Sequence, residues 1–321
     1  AILHPTLPCP AAMEGEQRII SVVHVQAGGE QSGASTIKIN RSGRYKLIVK
    51  RYRRNKLAMV GMVVFLVQLI AVFAAPLYID YSNAITQHIV DAFQAPNSEH
   101  IFGTDQFGRD LFARIIYGGR ISLGAGLATV AIAFVGGVVM GGVAGYFGGK
   151  TDAIIMRVCD MLMSIPGTML AMAIVAALGA GLDKLLVSLA IVKIPGSART
   201  VRAAIMNYRN SEFTEAARCY GTSNIRLIFK HLLPNIMGPL IVTTFMELGT
   251  IILCIAAMGY LGIGVQAPTP EWGSIISENQ TNLRYYPYLG LIPGCFIMIS
   301  VLSLNFIGDG LRDALDPKMK N

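Results

Sequence analysis

Residues able to carry metal, redox or nucleophilic chemistry are few and scattered in this chain. Five cysteines (Cys9, Cys159, Cys219, Cys254, Cys295) and five histidines (His4, His24, His88, His100, His231) show neither a disulfide framework nor metal-ligand spacing. There is no HExxH and no nucleophile–base pattern. Ala144–Thr151 (AGYFGGKT) fits a permissive P-loop pattern, but a P-loop needs a preceding strand, and an apolar helix precedes this stretch. Gly262-Ile-Gly264-Val-Gln-Ala267 fails as a dinucleotide fingerprint for the same reason. What remains is charge set among apolar residues: Glu247 inside one apolar run, Arg157 and Asp160 one turn apart near the end of another, and the polar stretch Ser211–Asn235. Such groups pair, dock and line paths. No catalytic residue and no metal site is assigned.

The composition says where they act. The 321 residues are 53% hydrophobic and 14% charged, with mean hydropathy +0.52. This is the profile of an all-α polytopic membrane protein. The net charge of +8 gathers at particular loops, which points to topology and lipid headgroups and excludes nucleic acid.

Ser211–Asn235 (SEFTEAARCYGTSNIRLIFKHLLPN) is polar and helix-prone between long apolar runs. Glu215, Ala216 and Ala217 favour a short helix that Asn210 or Ser211 caps. Gly221 stops it in a left-handed turn. Ser223 caps a second helix, Asn224 to His231, which Pro234 ends. The expected hairpin has an apolar face (Phe213, Ala216, Ala217, Tyr220) and a basic face (Arg218, Arg226, Lys230). From the residues alone it is either a solvated loop or a docking surface.

Six apolar runs position these groups. Residues 1–45 read as a flexible cytoplasmic tail, with 1–12 set aside because they precede Met13. A basic block from Lys38 to Lys56 then abuts a run from Leu57 to Leu77, about 20 residues and enough to cross about 30 Å of hydrocarbon. Positive charge at this entry places the N-terminus in the cytoplasm. Tyr78–Phe107 lacks Lys and Arg and reads as extracytoplasmic, followed by an interfacial amphipathic helix that carries Arg109, Arg114 and Arg120. The second span, Ile121–Phe147, bears a Gly137/Gly141/Gly145 stripe suited to close helix packing. The third, from Ala153 to Ala180, contains Pro166, and the fourth, from Leu185 to Met206, contains Pro195; each proline is a static kink or a hinge. Arg157 and Asp160 form a salt bridge or tie the third span to a neighbour. The fifth span, Ile236–Ile263, carries Glu247. An isolated carboxylate there costs about 3 kcal/mol or more, so it faces protein or a water-lined path. The sixth, Tyr288–Gly308, returns both termini to the cytoplasm, and Ser211–Asn235 with them.

Several segments carry a family resemblance. Glu215-Ala216-Ala217, then Gly221, then His231-Leu232-Leu233-Pro234 resembles the EAA loop of ABC-importer permeases. FGTD–GRD–R–GxRxSL (from Phe102 to Leu123), PTPEWG (Pro268–Gly273) and GDGLRDALDPK near the C-terminus resemble the C-type permease subunits of the dipeptide, oligopeptide and nickel branch. Ala267 departs from the branch's usual proline, and His231 stands where many EAA loops are aliphatic. The resemblance covers residues 45–321.

It implies a type I importer permease of six transmembrane helices in the bacterial cytoplasmic (inner) membrane, with residues 46–321 as the transmembrane domain. Residues 211–235 become the coupling helix that docks on an ATPase through Phe213, Glu215, Ala216, Ala217, Arg218, Tyr220, Gly221 and Pro234. The implied partners are a homologous B-type permease completing the pathway, two ATP-binding subunits and an extracytoplasmic solute-binding protein. ATP and Mg would be bound by the ATPase subunits, leaving this chain without cofactor or enzymatic activity. Dipeptides, longer peptides, glutathione and nickel chelates all remain as cargo. An ion-coupled secondary transporter using Glu247 and Asp160 is the alternative of another class.

Overall fold

A computed structural model gives the fold of residues 41–315. The expectations for residues 1–40 and 316–321 lie outside these described residues. Twelve α-helical segments follow one another: α1 (Arg41–Arg54), α2 (Lys56–Phe73), α3 (Ser82–Ile85), α4 (Leu111–Phe147), α5 (Gly149–Met163), α6 (Gly167–Leu178), α7 (Leu182–Arg209), α8 (Glu212–Cys219), α9 (Asn224–Arg226), α10 (Leu233–Tyr260), α11 (Trp272–Glu278) and α12 (Tyr288–Leu315). Among the described residues there is no strand, and one isolated bridge joins Thr104 to Asp110.

Four helical stretches are long and apolar enough to cross a membrane: Lys56–Phe73, Leu111–Phe147, Asn224–Tyr260 and Tyr288–Leu315. A fifth is formed if α5 and α6, bent by 86° at their junction, count together. The expected fourth span is α7. At 28 residues it has the length, but Asp183, Lys184, Lys193, Arg199 and Arg202 make it too polar to qualify by composition. Instead of one kinked third span, two helices meet almost at a right angle. Pro166 (φ −51°, ψ 125°) has left helical geometry entirely, because proline lacks the N–H that would continue the helix. Pro195, by contrast, is buried inside α7, which continues through it.

The interfacial helix expected before the second span is not separate. Asp110 caps α4 by accepting the Ala113 N–H at 2.7 Å, and the helix runs unbroken to Phe147. On its far half, a side chain at Gly137 would collide with Ser197, and one at Gly141 with the Ala198 carbonyl. These glycines let α4 and α7 lie backbone to backbone.

The main core joins α2, α4, α7, α10, α11 and α12 around Leu111, Leu189, Ile252, Trp272 and Leu304. Gln68 of α2 is buried against α12; it donates to the Phe296 carbonyl at 3.2 Å and accepts from Ser300 Oγ at 2.9 Å. A polar side chain in a span is satisfied here by a neighbouring helix. The opposite face of α2 exposes Leu57, Val60, Val67 and Ile70, as a lipid-facing helix requires.

Candidate functional site

The hairpin forms at one end of the bundle. Ser211 is the residue before α8, but its hydroxyl does not cap the helix; it donates to the Tyr208 carbonyl at 2.7 Å. Thr214, fully buried, donates to the same carbonyl at 2.9 Å. α8 ends in a Schellman turn: Thr222 N–H donates to Ala217 O at 3.2 Å and Gly221 N–H to Arg218 O at 2.9 Å. Gly221 has φ +71°, with nothing within 4 Å of where a Cβ would stand. Backbone conformation, and not space, demands glycine there.

The second arm differs from expectation. It does not stop at Pro234. Leu227–Leu232 form a π-helical segment, and the helix continues from Asn224 through Tyr260. Pro234 sits in the first turn of α10, just past the π segment, where the widened register already displaces the bonds proline cannot make.

The expected apolar face of the hairpin is split in two. Ala217 is buried and Phe213 half-buried in a second core with Val138, Tyr146, Ile205, Leu227 and Ile236. Ala216 and Tyr220 point outward with Glu215, Arg218, Gly221 and Pro234. Residues 213 and 217 share one face, while 216 and 220 share the next, because positions four apart align on a helix. The outward surface also presents Ile225 and Phe229, so its tip is apolar (Tyr220 is 82% exposed and Ile225 71%) and rimmed by Arg218, Arg226 and Lys230. Tyr146 at the end of α4 ties the arms: its hydroxyl donates to Asn224 Oδ1 at 2.7 Å, and Arg218 stacks over its ring at 5.5 Å. The sequence reading missed Thr214 and Tyr146. The signal for Thr214 was a β-branched hydroxyl inside a run of helix formers.

At the opposite end, Arg109 and Arg114 are buried and not interfacial. Arg109 Nε donates to Asp105 Oδ2 at 2.7 Å, and Arg109 Nη2 also pairs with Glu278. Arg114 Nη2 donates to Glu278 Oε2 at 3.0 Å. The carboxylate that pulls both arginines inward lies more than 160 residues downstream, at the end of α11. The other end of α11 is fixed by Glu271, wholly buried, which accepts from Ser122 Oγ at 2.8 Å and from Ser274 N–H at 2.9 Å. Burial pushes the Glu271 carboxyl up from its ordinary range, against the pull of those donors. Trp272 Nε1 donates to Ile115 O at 2.9 Å. Thus FGTD–GRD–R–GxRxSL and PTPEWG are two halves of one clamp between α4 and α11.

The charges along the bundle pair between helices. Asp160 of α5 accepts from Arg199 of α7 at 2.6 Å, while Arg157 is exposed and outside that pair. Asp152 and Arg202 join the same two helices nearer the hairpin. Glu247, half-buried on α10, forms no salt bridge among the described residues, though Lys193 of α7 is close enough for its charge to act on it. Among the described residues no group of three or more His, Cys, Asp or Glu could hold a metal.

Residues 137–321 match the family described as binding-protein-dependent transport system inner membrane component, and residues 43–96 match the N-terminal TM domain of oligopeptide transport permease C. The dipeptide transport system permease protein DppC of Alkalihalophilus pseudofirmus is 45% identical over 85% of this chain and 89% of its own length. The oligopeptide transport system permease protein OppC of Bacillus subtilis is 37% identical over 86% and 90%. The glutathione transport system permease protein GsiD of Escherichia coli is 39% identical over 84% and 89%. Among solved structures, an inward-facing MetNI methionine ABC transporter shares the fold, with TM-score 0.53 and 22% identity, over 64% of this chain and 98% of that one. With its apolar helices, its exposed hairpin and these relatives, the chain belongs to the family of binding-protein-dependent transport system inner membrane components, as a multi-pass protein of the inner membrane.

Proposed function

We propose that this chain is one of two membrane subunits of an ATP-driven importer of small peptides. The observation that carries this reading is the hairpin's division of labour. Its inner face (Phe213, Ala217) is built into the same core as α4, α7 and α10, while its apolar tip (Tyr220, Ile225, Phe229) is exposed among the described residues. A surface of that kind suits a protein groove, and a push on it reaches the spans through packed side chains. In this reading the tip seats on an ATP-binding subunit, where ATP and Mg are held; this chain contributes no catalytic group.

α7 serves as the sixth crossing, with Arg199 and Arg202 offset by Asp160 and Asp152 of α5, and both termini lie in the cytoplasm. A homologous second permease completes the pathway, with Glu247 and Lys193 toward it. The exposed apolar loop at Ile89 and Val90 meets an extracytoplasmic binding protein. The names of the relatives support dipeptides or oligopeptides as cargo, with glutathione as the close variant.

Purification of the chain from its native membrane tests this reading. A second permease, ATP-binding subunits and a binding protein should remain attached, and the assembly in liposomes should take up dipeptide only with ATP. Uptake by this chain alone under an ion gradient would overturn it in favour of a secondary transporter.

A further inference from the structure

α1 presents two unlike faces. Ile48 and Tyr52, four residues apart, pack on the start of α2 and the end of α12: they share a core with Ala58, Leu311 and Ala314, and Tyr52 OH donates to Ala58 O at 3.3 Å. Asn55 Nδ2 donates to Asp313 Oδ2 at 3.2 Å and fixes the α1–α2 corner. The other face of α1 carries Lys46, Lys50, Arg53 and Arg54, all exposed, at the i, i+4, i+7 and i+8 positions that share one side. Val49, also exposed, lies among them on the same side of the helix. Among the described residues, none of these four cations pairs with a carboxylate. Directly after them, α2 begins its lipid-exposed course at Leu57 and Val60.

We propose that this face of α1 is a binding site for the phosphate headgroup of an anionic phospholipid. Four exposed cations on one face, with no carboxylate partner among the described residues, suit a phosphate. Val49 among the cations, and Leu47 beside them, both exposed, suit the glycerol and upper acyl carbons that follow the phosphate in a lipid but not in a free ion. Continuity with the lipid-facing surface of α2 favours lipid over an acidic protein. The site lies on the cytoplasmic leaflet if the topology proposed above holds, but its chemistry does not depend on that topology.

The test uses the intact importer in nanodiscs containing equal phosphatidylglycerol and phosphatidylcholine, with retained lipid counted by native mass spectrometry. The wild type should retain phosphatidylglycerol preferentially. K46Q/K50Q/R53Q/R54Q should lose that preference, by about five-fold per cation removed. The charge-conserving K46R/K50R/R53K/R54K should keep it, as should K150Q, which removes an exposed cation elsewhere. Unchanged elution and thermal midpoint show that the variants are folded. An unaltered preference in the quadruple glutamine variant would overturn the proposal. So would stripping of the lipid by excess inorganic phosphate, or loss of a protein subunit with lipid retention intact.

Discussion

Ser122 Oγ donates to Glu271 Oε1 at 2.8 Å and accepts the Trp272 N–H at 3.3 Å, so one hydroxyl on α4 holds the start of α11 in place. Glu271 is fully buried, and its carboxyl is raised by that burial. A raised carboxyl favours the folded state fully below the ordinary carboxylate range, and the contribution is lost as pH rises through the folded value. The wild type should therefore lose thermal stability from acidic toward neutral pH more steeply than Glu271→Gln, whose profile should be flatter. Glu271→Ala, which strands the Ser122 and Ser274 donors, should cost about 1–3 kcal/mol. Thermal unfolding in detergent across pH reads both.

Glu278 holds two buried guanidinium groups at the other end of α11. Removing one member of a buried ion cluster leaves charge uncompensated and costs about 3–5 kcal/mol. Glu278→Ala should lower the thermal midpoint sharply, whereas Glu99→Ala, exposed in the same region, should leave it unchanged.

Gly221 separates conformation from contact. Its positive φ penalises an L side chain by about 1–2 kcal/mol, yet the space around it is open. Gly221→Asn should be tolerated best, Gly221→Ala should weaken transport, and Gly221→Pro, which cannot adopt the turn and lacks the N–H given to Arg218 O, should abolish it. Membrane insertion should survive in all three. Transport by the proline variant would contradict the turn's role.

Lys193 of α7 is close enough to Glu247 of α10 for its charge to act on it, although no salt bridge joins the two among the described residues. If the pair lines the path, Glu247→Gln should lower transport with little change in thermal midpoint, and Lys193→Met should not add fully to it. A double-mutant cycle on uptake and on stability distinguishes this from a purely structural contact, in which stability carries the coupling.

The helical class, the hairpin and the Gly137/Gly141 packing stripe were legible because each rests on local spacing. Partner identity was not. Arg109 and Arg114 read as interfacial because Glu278 is far away in sequence, and Asp160 pairs with Arg199 and not with its near neighbour Arg157. Pro166 and Pro234 show why a proline alone does not decide its helix. One sits at an 86° break, the other in a helix that a π segment carries onward. Burial of Ala217 against exposure of Ala216 depends on where α4 and α10 lie, which no pattern within eight residues contains.

The outward tip of the hairpin is proposed to seat on an ATP-binding subunit. A photo-crosslinking residue placed at Tyr220 or Ile225 in the assembled importer tests it most directly. The predicted result is a covalent adduct to the ATP-binding subunit from both positions, and none from Ala217, which faces the core. Adducts from Ala217 alone, or none from the tip while uptake remains ATP-driven, would contradict it.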